Sequence, residues 1–265
     1  MAWLKKILNN KLTKQQLSLV PRSYDIIGKI AIFSDFPKEL KNKEKTISNA
    51  LIETNKNIET VAKKTSNIYG KYRIRKLKII SGKKTKETIH RENGVQVKLN
   101  VEKCYFTPRL NTERLRIASL VKKNETILVM FSGVAIYNLV IAKNSNAKEI
   151  YGIEINPTAH KYALENLKLN KNNNIKLFLG DVKKITPKLK VKFDRIIMPL
   201  PASSQDYLTD AFKVAKKGTI IHIYTFNLVE IKERLKKEKA KILNIIKTGQ
   251  VSTKKYRYCI DFRIT

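Results

Sequence analysis

Residues 105–114 hold the side chains of this chain with the clearest capacity for chemistry. They read Tyr-Phe-Thr-Pro-Arg-Leu-Asn-Thr-Glu-Arg, so the carboxylate of Glu113 stands between the guanidinium groups of Arg109 and Arg114 along the chain. A buried acid flanked by guanidinium groups can take a proton from a weakly acidic ring nitrogen while the arginines hold anionic groups nearby. The same residues also fit a plain helix start, with a polar cap just before Glu113. The stretch alone does not decide between these two interpretations.

The chain is far more basic than solubility requires. Its 265 residues include 55 Lys and Arg against 22 Asp and Glu, a net charge of +33. The hydrophobic fraction of 42% suits one large or two ordinary domains with a real core. So much like charge repels itself unless a polyanion neutralises it, and nucleic acid is the first candidate. AT-rich coding explains part of the lysine content but not the scarcity of acids, so we expect a nucleic-acid partner.

Cysteine and histidine usage predicts neither a disulfide framework nor a metal site. Cys104 and Cys259 have no metal-ligand spacing, and the three histidines are scattered: His90, His160 and His222. No apolar run approaches the ~18 residues of a membrane-spanning helix. The start, Met1–Lys6, lacks the apolar stretch of a signal peptide and indicates a short amphipathic helix start. We expect a cytoplasmic monomer with no metal and no membrane partner.

Two patterns divide the chain after a short N-terminal extension, residues 1–22. Residues 23–110 hold short β-rich runs around a helical stretch from Lys41 to Asn55 and predict a small α+β domain with an antiparallel sheet. The predicted strands are Ile26–Phe33, Tyr72–Ile80 and Gln96–Val101, with turn signals at Ser81-Gly82 and Asn93-Gly94.

Residues 111–265 alternate apolar strands with amphipathic helices, which is typical of a parallel sheet covered on both faces. We therefore predict an α/β, Rossmann-like domain. Its tail, residues 256–264, alternates and, with Ile242–Ile246, indicates extra strands at the sheet edge. The predicted strands are Thr126–Phe131, Glu149–Ile155, Ile175–Leu179, Asp194–Met198 and Thr219–Tyr224, and the helices are Ile136–Lys143, Thr158–Asn170 and Ser204–Ala215.

The carboxyl ends of these strands are where an open α/β sheet binds its ligand. The first strand ends in a turn from Phe131 with a single glycine, Gly133, which cradles a pyrophosphate badly and disfavours NAD. The second ends in Glu154, at the position that bonds a ribose diol, followed by Ile155 and Asn156. A charge at a helix N-terminus is the alternative for Glu154.

The third and fourth strands complete the same edge. Asp181, followed by Val182, can accept a hydrogen bond from an adenine amino group or can serve only as a turn residue. The fourth strand ends in Pro199, Leu200 and Pro201, whose fixed extended backbone suits carbonyls presented to a flat ligand. The residues at the ends of these four strands, taken in order, predict S-adenosylmethionine as the ligand.

Several motifs resemble the class I tRNA (guanine-37-N1)-methyltransferases of archaea and eukaryotes and their wybutosine-pathway relatives. They are Ser23-Tyr24-Asp25-Ile26-Ile27-Gly28, Glu92-Asn93-Gly94, Tyr105-Phe106-Thr107-Pro108-Arg109-Leu110 with Glu113-Arg114, Glu154-Ile155-Asn156-Pro157 and Met198-Pro199-Leu200-Pro201. The resemblance covers residue 20 onward. It implies a class I methyltransferase domain, S-adenosylmethionine as methyl donor, and guanosine 37 of tRNA, beside the anticodon, as acceptor.

The resemblance also implies roles for individual residues. Glu113 would be the general base for N1 of guanine, and Arg73 would steady the negative charge on the guanine oxygen. Arg114 would face the donor's carboxylate, with Tyr105 lining the site near the donor. Arg109 would organise the target nucleotide or its phosphate, and Pro199 would contact the target base.

Three positions depart from the family pattern, and two other functions stay open. Val129 replaces a usual Asp, Ala135 replaces a second Gly, and Pro199 stands where many members have Asn. The alternatives are a wybutosine-pathway aminocarboxypropyl transferase and a non-catalytic tRNA-binding protein. A methyltransferase could act on a wyosine precursor as well as on guanosine. We also expect the chain to lack the extra domain by which many members check the tRNA elbow.

Overall fold

The computed structural model describes residues 6–252 and 255–265, with the backbone alone at 251 and 252. The expected helix start over Met1–Lys6 therefore falls almost entirely outside the described residues. The chain forms two compact units. The first comprises the residues up to Arg91 with Lys98–Pro108, and the second comprises Glu92–Val97 with Arg109–Thr265.

The first unit has a four-stranded sheet in the order β1-β2-β3-β4. Strands β2 and β3 run parallel while the outer pairs are antiparallel, so the sheet is mixed and the antiparallel prediction is wrong at this pair. A parallel pair needs a crossover, and a 3-10 helix, Lys38–Lys43, with helix α2 supplies it. The elements are α1 (Lys14–Leu19), β1 (Tyr24–Ile27), β2 (Ile30–Phe33), α2 (Glu44–Thr54), β3 (Thr60–Lys64) and β4 (Leu77–Gly82).

Sequence and structure differ at three places in this unit. The single predicted strand over residues 26–33 is split at Gly28, which has φ +54° and packs so closely that a Cβ there would be 2.4 Å from the carbonyl oxygen of Ile89. The strand predicted from residue 72 begins at Leu77, because the residues before it form a turn. Leu8 and Val20 are buried in the same core as the sheet, so residues 6–22 are part of this unit rather than an extension.

A β-hairpin, β5 (Glu87–Glu92) and β6 (Val95–Asn100), contributes to both units. Its turn is at Asn93 and Gly94, both with positive φ, as the turn signal indicates. The tip, Glu92–Val97, belongs to the second unit. Within that unit the Asn93 side chain donates to the Asn111 carbonyl (2.8 Å), and the Gln96 amide donates to the Asn170 side chain (2.9 Å). A single boundary at residue 110 therefore does not describe how the chain is divided.

The second unit is built on a seven-stranded sheet in the order β12-β13-β11-β10-β7-β8-β9. Strands β7 to β11 run parallel, which confirms the predicted Rossmann-like α/β fold. The strands are β7 (Thr126–Met130), β8 (Glu149–Glu154), β9 (Ile175–Leu179), β10 (Phe193–Met198), β11 (Ala215–Thr225), β12 (Ala240–Ser252) and β13 (Lys255–Ile264). The helices are α3 (Asn111–Ser119), α4 (Ile136–Asn144), α5 (Pro157–Leu169), α6 (Val182–Ile185), α7 (Leu208–Val214) and α8 (Leu228–Lys236).

Strand β13 lies inside the sheet, between β11 and β12, and is antiparallel to both. The sequence predicts the extra strands correctly but places this one at the edge. Both of its faces are buried, since the consecutive residues Cys259, Ile260, Asp261 and Phe262 are all buried, and the polar Asp261 is paired there with Arg116 and His222. Among the helices in the described ranges, none combines the length and hydrophobicity that crossing a bilayer requires.

The order of the strands reverses beside β7, which has β10 on one side and β8 on the other. A crevice opens at the carboxyl ends of strands at such a switch point. The turn after β7 enters it with three left-handed residues, Phe131 (φ +60°), Gly133 (φ +56°) and Ala135 (φ +66°). The backbone at Ala135 thus keeps the shape that a glycine adopts without strain.

Arg195 on β10 is a fully buried cation that ties three segments of this unit together. Its Nε donates to Oε2 of Glu125 (2.7 Å) and its Nη2 to the carbonyl of Leu120 (2.6 Å), while Nη1 lies 2.6 Å from Nε2 of His222. A buried charge must be paired in this way to be tolerated.

Arg195→Met should destabilise the protein by about 3–5 kcal/mol, because it leaves the Glu125 carboxylate without its cation. Urea unfolding of the variant and the wild type measures the difference. Lys190→Met, at an exposed position near the same strand, is the matched control and should change stability by less than about 0.5 kcal/mol. Equal midpoints for the two variants would contradict the structural role of Arg195.

Candidate active site

Glu113 lies in the first turn of α3 and its carboxylate is buried. One turn later Arg116 binds both oxygens, with Nε donating to Oε2 (2.7 Å) and Nη2 to Oε1 (2.8 Å). The hydroxyl of Tyr224 donates to Oε1 of Glu113 (2.7 Å), and the hydroxyl of Tyr137 lies 3.0 Å from the Tyr224 hydroxyl. Glu113 is therefore in a helix start and is also an anchored buried acid, and its role as a base stays a prediction.

Arg116 connects Glu113 to a second buried acid. Its Nη1 donates to Oδ2 of Asp261 (2.7 Å), whose Oδ1 lies 2.6 Å from Nδ1 of His222. Arg195 can only donate to Nε2 of His222, so this ring carries its proton on Nδ1 and donates it to Asp261. We call the chain Glu113, Arg116, Asp261, His222 and Arg195 the buried ionic network.

The charges of this network follow from its contacts. Burial lowers the pKa of His222 against the opposing bond to Asp261, so the ring is neutral. Although burial opposes it, hydrogen bonds from His222 and Arg116 hold the pKa of Asp261 well below its ordinary value. Burial raises the pKa of Tyr224, which keeps its hydroxyl protonated and able to donate to Glu113.

His222, Asp261 and Cys259 place three potential metal ligands within 4.8 Å of one another. The sequence did not predict this grouping. Nη2 of Arg116 lies 3.4 Å from the sulfur, and burial raises the pKa of the Cys259 thiol well above its ordinary value. A neutral thiol beside a guanidinium and an already bonded histidine does not offer the ligands that a cation needs.

Glu154 ends β8 and is buried at the predicted edge of the sheet. Its Oε2 accepts from the amide of Gly133 and its Oε1 from the amide of Asn156, both at 2.7 Å. Burial raises the pKa of Glu154, and these backbone bonds oppose the rise. Each oxygen keeps a further lone pair, so the carboxylate can also accept the two hydroxyls of a ribose. Asn156 caps α5 through bonds from the amides of Thr158 and Ala159.

An aromatic pair lies near the turn after β7. Phe131 packs edge-on against Tyr207, with ring centroids 4.8 Å apart, and both rings are half-buried. Burial, then the charge of Asp181, raises the pKa of the Tyr207 hydroxyl. Asp181 caps α6 through the amide of Lys183 (2.9 Å), which is the turn role that the sequence left open. Val182 behind it is buried.

The segment after β10 is bonded inside the protein at two of its carbonyls. The Leu200 carbonyl accepts from the Ser204 hydroxyl (2.6 Å) and the Pro201 carbonyl from the Phe226 amide (3.2 Å). The Leu200 carbonyl also accepts from the Ser203 amide (3.2 Å), so the expected presentation of carbonyls to a flat ligand does not apply to Leu200 and applies at Pro201 only to the second lone pair. Pro199 is half-buried and Ile155, beside Glu154, is half-buried as well.

Arg114 has a protein carboxylate as partner. Nε and Nη2 of this buried guanidinium bind Glu92 at the hairpin tip, with 2.6 Å between Nη2 and Oε2. The resemblance implies that Arg114 faces the donor's carboxylate; one edge of its guanidinium is bonded to Glu92, and a contact of the other edge with the donor stays a prediction. The exposed Arg109 lies in a 3-10 turn before α3.

Two predicted residues belong to the first unit. The guanidinium carbon of Arg73 lies 6.0 Å from the ring centroid of Tyr105, which is 37% exposed. Arg73 has φ +54°, a conformation that non-glycine residues rarely adopt and that often marks a functional position.

Sequence reasoning missed four residues of the site: Arg116, Tyr207, Tyr224 and Asp261. Only Arg116 carried a usable signal, because a basic residue three positions after an acid faces it on a helix. The residues at the strand ends fit S-adenosylmethionine, since they provide a buried acid for a ribose, an aromatic pair for a flat ring and a turn poor in phosphate-binding glycine.

Comparison with known proteins agrees with this geometry. The family model described as the TRM5/TYW2 methyltransferase domain matches residues 88–253, and the one described as the TYW2 N-terminal domain matches residues 4–85. The tRNA (guanine(37)-N(1))-methyltransferase Trm5b of Pyrococcus abyssi is 40% identical over 257 residues, 93% of this chain and 76% of the relative. Its crystal structure gives a TM-score of 0.85 over 96% of this chain and 78% of that one, at 39% identity.

Two further matches span both units. The tRNA (guanine(37)-N(1))/4-demethylwyosine(37)-methyltransferase Taw22 of Nanoarchaeum equitans is 32% identical over 90% of this chain and 98% of the relative. A structure described as the complex of aTrm5 and tRNALeu gives a TM-score of 0.87 at 29% identity, over 99% of this chain and 78% of that one. The chain therefore belongs to the TRM5/TYW2 family and is an S-adenosylmethionine-dependent methyltransferase.

Proposed function

We propose that this chain transfers a methyl group from S-adenosylmethionine to N1 of guanosine 37 in tRNA, within the anticodon stem-loop. The observation that carries the proposal is the anchored, buried carboxylate of Glu113, because N1 of guanine must lose a proton as the methyl arrives. The names of the Pyrococcus relative and of the tRNA complex support the same substrate. Since that substrate is tRNA, we also propose that the chain acts in the cytoplasm.

On the donor side, Glu154 holds the ribose and the Phe131–Tyr207 pair borders the adenine. Asp181 accepts from the adenine amino group with the oxygen that does not cap α6, and Ile155, Val182 and the Pro199–Pro201 segment line the pocket. When bound, the donor supplies a methyl group already activated on a sulfonium. The chain therefore needs to orient the acceptor nitrogen rather than activate the methyl.

On the acceptor side, Glu113 takes the proton from N1, and its position is fixed before the substrate arrives. A positioned base of this kind contributes about 10²–10⁴-fold to the rate. Arg73 steadies the negative charge that develops on the guanine oxygen, and its strained backbone supports that role. Arg109 and the net charge of +33 serve the phosphates of the tRNA.

Digestion of treated tRNA to nucleosides, followed by mass spectrometry, tests the reaction itself. With labelled donor, a transcript carrying guanosine 37 should yield N1-methylguanosine, and a matched transcript with adenosine 37 should yield none. A product mass that corresponds to an aminocarboxypropyl group would replace the proposal with the alternative transferase, and no product with no donor binding would indicate a tRNA-binding protein. A transcript carrying 4-demethylwyosine tests the second acceptor that the Nanoarchaeum relative's name includes.

Glu154→Gln should weaken S-adenosylmethionine binding by roughly ten- to a hundred-fold, because an amide cannot replace both charged acceptors and a charge-assisted bond contributes about 1.5–3 kcal/mol. Titration calorimetry measures the affinity. Glu149→Gln, at the opposite end of the same strand and paired with Lys176, is the control and should bind like the wild type. A folded Glu154→Gln protein with unchanged affinity would remove this residue from the donor site.

Glu113→Gln should slow the single-turnover rate by about 10²–10⁴-fold while donor and tRNA binding change little, because the amide keeps the shape but cannot accept the proton. The wild-type rate should rise with pH, and in the variant the dependence should shift toward the ionisation of guanine alone. Rates measured with saturating protein, and binding measured separately, distinguish these effects. A wild-type single-turnover rate in the variant at every pH would show that Glu113 is not the base.

A further inference from the structure

Arg116 is shared between two buried acids. It uses Nε and Nη2 for the two oxygens of Glu113 and Nη1 for Oδ2 of Asp261, all between 2.7 and 2.8 Å. Burial alone would lower the pKa of Arg116, and the bonds to Glu113 and Asp261 outweigh it, so the cation is permanent.

We propose that Arg116 is the positioning residue of the reaction: it fixes the orientation of the Glu113 carboxylate through both oxygens and holds a cation beside it throughout the reaction. The inference rests on the proposed function, since it requires Glu113 to be the base. Arg116 acts only through Glu113 and is not itself in contact with the reacting atoms.

The groups around Glu113 show why a cation is required there. From α3 it faces Arg116, with Arg114 in the same helix paired to Glu92. From β11, the Tyr224 hydroxyl faces the Glu113 carboxylate, with Tyr137 of α4 bonded to that hydroxyl. From β13, Cys259 and Asp261 are the nearest titratable groups. Tyrosine and cysteine here are neutral donors, and Asp261 is negative. Without Arg116, the buried Glu113 carboxylate would face the negative charge of Asp261 with no cation between them.

The second half of the argument concerns what happens once Glu113 has taken a proton. A guanidinium bound to one carboxylate alone would then lose its partner and could move. Asp261 prevents this, because it keeps its bond to Nη1 and is itself held by the neutral His222, which Arg195 orients from behind. Arg116 therefore stays in place through the proton transfer, and Glu113 returns to the same geometry after each turnover.

The pH dependence of the single-turnover rate separates this role from a merely structural one. Arg116→Gln should move the acid limb of the profile upward by about 1–3 pH units, because loss of a neighbouring opposite charge shifts a carboxyl by that much. Arg116→Lys keeps the charge but not the two-oxygen geometry, so its acid limb should stay near that of the wild type while its plateau falls about tenfold or more. Arg263→Gln, at an exposed position on β13, is the matched control and should leave the limb in place.

Because Arg116→Gln leaves Asp261 without its cation, the double variant Arg116→Gln/Asp261→Asn provides a charge-balanced second measurement. Its acid limb should also lie above that of the wild type, since Glu113 remains buried with no cation beside it. Thermal melting of each variant verifies the fold before the rates are compared.

Two outcomes would overturn the inference, and neither is the failure of the proposed function. An acid limb in Arg116→Gln or in the double variant that coincides with the wild type would show that Arg116 does not control Glu113. A shift of equal size in Arg116→Lys would show that the geometry of the pair, rather than its charge, sets the limb. In both cases a slow Glu113→Gln variant leaves the base assignment intact, whereas a fast one removes the base and this inference with it.

Discussion

The pairing of arginines with buried acids is the constraint on which the second unit depends. Arg195 is buried and Arg116 is half-buried, and each is tolerated because every nitrogen of its guanidinium bonds to an acceptor. Together they connect helix α3, strands β10, β11 and β13, and the loop before β7. The position of Glu113 is a consequence of this pairing, because the carboxylate satisfies one edge of Arg116. Most members have a second partner, so Arg116 keeps Asp261 when Glu113 changes and Arg195 keeps Glu125 when His222 changes.

The donor side and the proton side of the site are held by different means. Glu154 is fixed by two backbone amides at the ends of β7 and β8, and the turn that supplies one of them has left-handed residues. Backbone geometry thus shapes the donor pocket and tolerates a side-chain change such as Ala135. Glu113 depends instead on side chains from three elements. A family with this architecture can keep one donor pocket while the acceptor chemistry changes through a few ionic contacts.

The sequence predicts the parallel sheet well and the ionic contacts poorly, for physical reasons. Continuous apolar runs such as Ile127–Met130 are recognisable because both faces of their strands are buried. The five-residue β3, Thr60–Lys64, ends in two lysines and lacks such a pattern, so its parallel pairing with β2 was missed. Strand order along the chain was enough to place Glu154 at the ligand edge. The partner of Arg114 could not be foreseen, because Glu92 reaches it from a hairpin that pattern analysis assigns to the other domain.

Strand β13 is later in the chain than every other strand of its sheet, yet it pairs in the interior, between β11 and β12. The bond between Arg116 and Asp261 therefore closes a loop of 145 residues, and that between Tyr224 and Glu113 a loop of 111. The residues proposed to hold the donor lie in segments up to β11, whereas Asp261, which binds Arg116, comes from the last strand. The last segment of the chain thus completes the contacts of a helix near its middle, and the proposed base has its full set of partners only when β13 has paired within the sheet.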